Sequence, residues 1–132
     1  MRSDNILVVD DDPEILSAIS GTLESQGYSV VRASSGSQAL SILRSEPPAL
    51  MLLDVVMPET DGFQILEILR NAMWSKWHCL PVVIIVPLQD GSCKRCYAIE
   101  RGLELGAEDY IEKPVRPEVL LYRVGKALER HS

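Results

Sequence analysis

Three things are scarce in this 132-residue chain, and each scarcity closes off a class of protein. Cysteine is the first: Cys79, Cys93 and Cys96 are an odd, small set, which argues against a disulfide framework and for a reducing compartment. Basic charge is the second. Thirteen Lys and Arg against 19 Asp and Glu leave a net charge of −6, so this domain is not expected to bind nucleic acid, whose phosphates need clustered cations. Long apolar runs are the third: the stretches Ala49–Leu53 and Leu80–Leu88 fall well short of the ~20 residues that span a bilayer. Strand-like sequence begins within a few residues of Met1, so no secretory signal is expected. The setting predicted is cytoplasmic, with no membrane contact. No repeat, low-complexity tract or linker interrupts the chain. Its length suits one domain over 1–132, with an ordered core over about 4–130.

What is present alternates between two periods. "NILVVD" (Asn5–Asp10) is continuously apolar up to its acid, the mark of a strand covered on both faces. Asp12-Pro13-Glu14 then supplies a cap, a first-turn proline and an acid at the positive helix end. Ile15, Leu16, Ile19 and Leu23 follow at helical spacing, and Gly27 offers a stop. "YSVVRA" (Tyr28–Ala33) predicts a second strand, and Ala39, Leu40 and Leu43 a helix closing before Pro47-Pro48. "ALMLLD" (Ala49–Asp54) is a third buried strand, followed by a helix from Gly62 with Ile65, Leu66, Leu69 and Met73 on its apolar side. Val82–Val86 is the fourth strand. Cys96, Ile99 and Leu103 predict the buried side of a fourth helix closed by Gly106. "DYIEK" (Asp109–Lys113) is a fifth strand, and Pro117 opens a last helix carrying Leu120, Leu121, Val124 and Leu128. Such alternation implies a parallel sheet with helices on both faces. In an open sheet of that kind, ligands bind beyond the carboxyl ends of the strands.

The residues at those ends are chemically loaded. Strand one ends in Asp10-Asp11-Asp12, strand three in Asp54 and strand five in Lys113-Pro114. A single acid such as Asp12 reads as a helix cap. The set reads otherwise, because like charges brought together raise each other's energy unless a cation or proton shares the site. All-oxygen ligands suit a hard ion such as Mg²⁺, and a neighbouring lysine suits a phosphoryl group that also touches the metal. The pattern points to phosphoryl transfer.

The segments "ILVVDDDP" (Ile6–Pro13), "LLDVVMPETDGFQIL" (Leu52–Leu66) and "GAEDYIEKP" (Gly106–Pro114), in this order and spacing, resemble the receiver domains of two-component response regulators from end to end. The resemblance implies a flavodoxin-like α/β fold, (βα)5, with strand order 2-1-3-4-5. It implies that Asp54 accepts a phosphoryl group from the phosphohistidine of a sensor histidine kinase or phosphotransfer protein, or from a small acyl phosphate. Asp11 would be the main Mg²⁺ carboxylate, Asp10 a second acid acting through water, and the Val56 carbonyl a further ligand. Lys113 would pair with the phosphoryl oxygens, with Pro114 forming a cis peptide that positions it. Pro58 and Gly62 match the turn after the acceptor, and Tyr110 matches an aromatic that changes exposure between inactive and active forms. Glu59 and Asp61 match no metal or phosphoryl position. Signal output would run through an output domain or partner protein, or a homodimer, at the face of helix 4, strand 5 and helix 5.

One part of the pattern is missing. No residue from Leu80 to Gly91 carries a hydroxyl, whereas the family has Thr or Ser at the end of strand four and a small residue after it. Val86 stands at the first position and cannot donate a hydrogen bond. Pro87 stands at the second and has no N–H. Two donors of about 1.5–3 kcal/mol each to a charged group are thereby absent. Chemistry at Asp54 is expected to survive, with its coupling to the loop after strand four weakened or rerouted. Apolar Val56 and Leu88 imply slow self-dephosphorylation. The alternative is a receiver-like docking or dimerisation module that has abandoned phosphorylation. A Mg²⁺-dependent aspartyl phosphatase fits less well, since Val56 occupies the place of its general acid. The domain is otherwise not expected to be an enzyme.

Two features stand apart. Cys93 and Cys96 form a C-x-x-C pair, with His78-Cys79 before the same strand, and permit a zinc or redox reading. A full strand separates the two groups, however, and a helix start with Cys96 packed inward explains the pair as well. Trp74 and Trp77 sit in a loop that either marks a partner surface or folds back on its own helix. The sequence stops soon after the fifth helix, which suits a stand-alone protein or the receiver portion of a longer one.

Overall fold

The computed structural model describes residues 5–55, 62–70, 80–86 and 94–130. Strands and helices alternate: β1 (Asn5–Val9), α1 (Pro13–Glu24), β2 (Ser29–Ala33), α2 (Gly36–Ser45), β3 (Leu50–Asp54), α3 (Gly62–Arg70), β4 (Val82–Val86), α4 (Lys94–Glu104), β5 (Asp109–Glu112) and α5 (Pro117–Arg130). The strands form one parallel sheet in the order β2-β1-β3-β4-β5, the flavodoxin-like order expected.

The continuous apolar runs have the predicted cause. Every residue of β3 and β4 is buried, because helices cover both faces of the sheet. The two-residue period of a strand divides these side chains between two cores. Leu7, Val9, Met51, Leu53, Ile84 and Val86 enter the layer that contains Phe63 and Leu66 of α3 and Ala98 of α4. Ile6, Val8, Leu52, Val83, Ile85 and Ile111 enter the layer formed with α1 and α5. Each fully buried aliphatic side chain contributes roughly 1.5–3 kcal/mol relative to its exposed state, so these two layers hold the strand ends in register.

Local signals set the helix ends. The Asp12 carboxylate caps α1 by accepting the Glu14 N–H at 2.9 Å, with Pro13 as first helical residue. Ser35 caps α2 by accepting the Gln38 N–H at 3.2 Å. Gly106, at φ +88°, takes the left-handed conformation that closes the turn after α4.

The fourth helix departs from expectation at Leu103, while Ile99 packs against the core. Its buried side passes through Ala98 and Gly102, whereas Leu103 is 49% exposed. The reason is close approach: a Cβ on Gly102 would run into Ile84 Cδ1 of β4, so small residues, and not the apolar Leu103, face the sheet. Met73 lies outside the described residues. Among those residues, no helix is long and apolar enough to cross a membrane.

Candidate functional site

Register brings the chemically loaded strand ends together. Val9 pairs with Leu53 across β1 and β3, Asp54 with Ile85 across β3 and β4, and Val86 with Glu112 across β4 and β5. Asp10, Asp54, Val86 and Lys113 therefore emerge along the same carboxyl edge. The adjacent interior strands β1 and β3 carry the acids.

Carboxylate oxygens of Asp10, Asp11 and Asp54 lie within 4.8 Å of one another. Asp10 and Asp54 are buried and Asp11 is exposed at the rim. Lys113 reaches in from the end of β5, its Nζ 3.3 Å from Asp54 Oδ2 and 3.8 Å from Asp10 Oδ2. Its own backbone is fixed to β4, since the Lys113 N–H donates to the Val86 carbonyl at 3.0 Å, and the Lys113–Pro114 peptide is cis. Lys113 thus pairs with two of the three grouped carboxylates.

Burial and the neighbouring charge both register on Asp10. Burial, and then the neighbouring Asp54 carboxylate, push its carboxyl from 3.8 up to about 7, against the opposing pull of the Asp12 amide and the Lys113 ammonium. Asp10 Oδ1 accepts the Asp12 N–H at 3.0 Å, whereas Oδ2 is buried without a hydrogen-bond partner among the described residues. Buried carboxylate oxygens of this kind need a cation or a proton. The donor set consists of hard oxygens on a partly open rim, and so fits a divalent ion such as Mg²⁺. The Asp12 amide was invisible to side-chain reasoning, because a backbone donor leaves no mark in a sequence.

Two further residues border this edge. Val86 is fully buried in the apolar layer shared with α3 and α4, so β4 ends in hydrocarbon. Tyr110 is half-buried and held from α5: Arg123 donates to its carbonyl at 2.7 Å and to Asp109 Oδ1 at 2.8 Å, and the guanidinium lies 5.1 Å from the ring centre. Val56, Pro58, Glu59, Asp61, Pro87 and Leu88 lie outside the described residues. So do Trp74, Trp77, His78, Cys79, Cys93 and the side chain of Cys96.

Comparison with known proteins decides the family. The family model for the response regulator receiver domain matches residues 6–125. The chain belongs to that family. As a receiver domain it is 38% identical over 130 residues to the "Probable transcriptional regulator ycf27" of Porphyridium aerugineum, an alignment covering 98% of this chain and 50% of that protein. It is 34% identical over 127 residues to the transcriptional regulatory protein KdpE of Mycobacterium tuberculosis (strain ATCC 25618 / H37Rv), covering 96% of this chain and 52% of the other. The chain spans about half the length of the curated relatives it matches. Among solved structures, the chemotaxis protein CheY4 of Vibrio cholerae superposes with a TM-score of 0.84 at 27% identity, covering 96% of this chain and 99% of that one. Phosphorylation on an aspartate is the general role of such domains, which are not enzymes of a conventional kind.

Proposed function

We propose that Asp54 of this receiver domain is its phosphoacceptor. The observation that carries the reading is the position of the Asp54 carboxylate: buried at the end of β3, 3.3 Å from the Lys113 ammonium and grouped with Asp10 and Asp11. In the step inferred, an Asp54 oxygen attacks phosphorus. The bond to the donor breaks, releasing neutral histidine from a phosphohistidine, once protonated, or acetate from acetyl phosphate, and leaves an acyl phosphate on Asp54. Lys113 is placed to pair with the phosphoryl oxygens as negative charge gathers there. Asp10, Asp11 and Asp54, with the Val56 carbonyl, would hold Mg²⁺. When bound, the ion supplies charge neutralisation for the entering phosphoryl group and for the carboxylates themselves.

The donor proposed is a sensor histidine kinase or phosphotransfer protein of the cytoplasm. A groove of about 510 Å³ between α1 and the β5–α5 turn, lined by Ile15, Ile19, Val115 and Leu120, adjoins Lys113 and offers such a protein an apolar seat. Output would pass to an output domain, a partner or a second copy through α4, β5 and α5. The hydrocarbon end of β4 at Val86 supports weakened coupling along that strand, and it is also the feature that favours the rival reading, a docking module independent of phosphorylation.

The deciding experiment is incubation with acetyl phosphate and Mg²⁺ followed by intact-mass measurement. A phosphoryl-sized gain that Asp54→Asn abolishes is expected. No gain, together with no Mg²⁺ binding, would transfer support to the docking module.

A further inference from the structure

The end of β4 offers the site no side-chain donor, but α3 touches it directly. Gly62, the first residue of α3, packs so tightly on the acceptor strand that a Cβ there would lie 2.6 Å from Val55 Cα and 2.7 Å from the Asp54 carbonyl oxygen. From that point α3 presents one face to α4. Phe63 meets Tyr97 edge-on, with ring centres 6.1 Å apart and planes at 83°. Glu67 pairs with Arg101 at 2.7 Å. Arg70 donates to the Gly106 carbonyl at 2.9 Å, just past the end of α4, and to the Leu80 carbonyl ahead of β4 at 3.2 Å. Residues 63, 67 and 70 follow the i, i+4, i+7 spacing of a single helical stripe. Their contacts follow α4 from Tyr97 to the turn that closes it.

We propose that α3 is the transmission element between Asp54 and α4: its Gly62 end reads the acceptor backbone, and the Phe63–Glu67–Arg70 stripe carries the displacement to α4. This rests on Asp54 being the phosphorylated group. The backbone contact at Gly62 cannot yield by a side-chain rotation, so a shift of the Asp54–Val55 backbone moves the start of α3. The three contacts on the stripe then differ in kind, one aromatic, one ionic and one from a guanidinium to two carbonyls. Arg70 is a positioning residue in this scheme, acting on α4 through the carbonyl at its closing turn.

The test is residue-resolved amide NMR of the protein with acetyl phosphate and Mg²⁺, alongside intact mass to fix phosphoryl occupancy. In the wild type, amides of α3 and of α4 are expected to move on loading. Arg70→Met keeps the side-chain bulk and removes the donors. Glu67→Gln alters only an exposed pair and leaves the fold intact should Arg70→Met not fold. Both variants are expected to reach wild-type occupancy and keep the α3 response, while the shifted population of α4 falls about twofold to tenfold. A purely structural role for the stripe would lower stability in urea and leave the α4 response in place. Either variant, folded and loaded, with a wild-type α4 response overturns the inference, as does an α4 that stays still in the loaded wild type. Absence of any mass gain is a separate result, which overturns the phosphoacceptor reading and this inference with it.

Discussion

Substituting Gly62 by alanine adds one methyl group at the junction of β3 and α3. The new Cβ would sit 2.6 Å from Val55 Cα and 2.7 Å from the Asp54 carbonyl oxygen, both backbone atoms that no rotamer change can clear. Restoring ordinary contact near 3.4 Å requires the first turn of α3 to withdraw by about 0.8 Å. Overpacking of this kind costs about 1–3 kcal/mol, from which the helical advantage of alanine over glycine returns at most ~1 kcal/mol. The net expectation is a loss of about 1–2 kcal/mol, or a melting temperature lower by about 3–8 °C for a chain of this size. Gly21 in α1 and Gly125 in α5 provide the opposite sign, because a Cβ at either meets nothing within 4 Å among the described residues. Gly21→Ala and Gly125→Ala are each expected to stabilise by up to ~1 kcal/mol through helix propensity alone. Urea denaturation of the three variants side by side checks the reasoning. A Gly62→Ala protein as stable as Gly125→Ala would refute it.

Two further substitutions probe the site. Val86→Thr places a hydroxyl in a fully buried apolar layer and should cost the unphosphorylated domain about 1–3 kcal/mol. The same hydroxyl should then gain a phosphoryl partner, so the stabilisation produced by acetyl phosphate and Mg²⁺ is expected to be larger than in the wild type; unfolding midpoints with and without phosphodonor would expose the contrary. Asp10 makes the metal-free domain pH-sensitive. Its folded carboxyl sits at about 7 against 3.8 for an ordinary one, so the folded state binds the extra proton between those values and stability falls as pH rises from about 4 to 7. Mg²⁺ competes with that proton, and its affinity should rise over the same range. Thermal melts in a chelator should show the decline for the wild type and not for Asp10→Asn, and equal slopes in the two would contradict the assignment.

Much of this architecture is legible in single residues. Asp12-Pro13-Glu14 announces the start of α1 because capping depends on local backbone donors. The apolar runs of β3 and β4 announce a doubly covered sheet because burial on both faces leaves no polar alternation. The α4 stripe misled only at Leu103: Ile99 packs against the core, but spacing does not reveal that the helix approaches Ile84 through Gly102. Nothing marked Arg70 either. An arginine at the end of a helix reads as a solvated favourable charge, and its partners are main-chain carbonyls 10 and 36 residues further along.

The sequence by itself determined the element order, the acids at two strand ends and the lysine at a third, because periodicity, capping and charge are properties of neighbouring residues. Tertiary structure alone decided how those acids act on one another. Strand register sets Asp54 and Asp10 beside the Lys113 ammonium, burial raises the Asp10 carboxyl to about 7, and the contact at Gly62 joins the β3 backbone to a helix that packs on α4. These are effects of distance and desolvation between residues far apart in the chain. They come into being only when the sheet closes its register and water leaves the carboxyl edge.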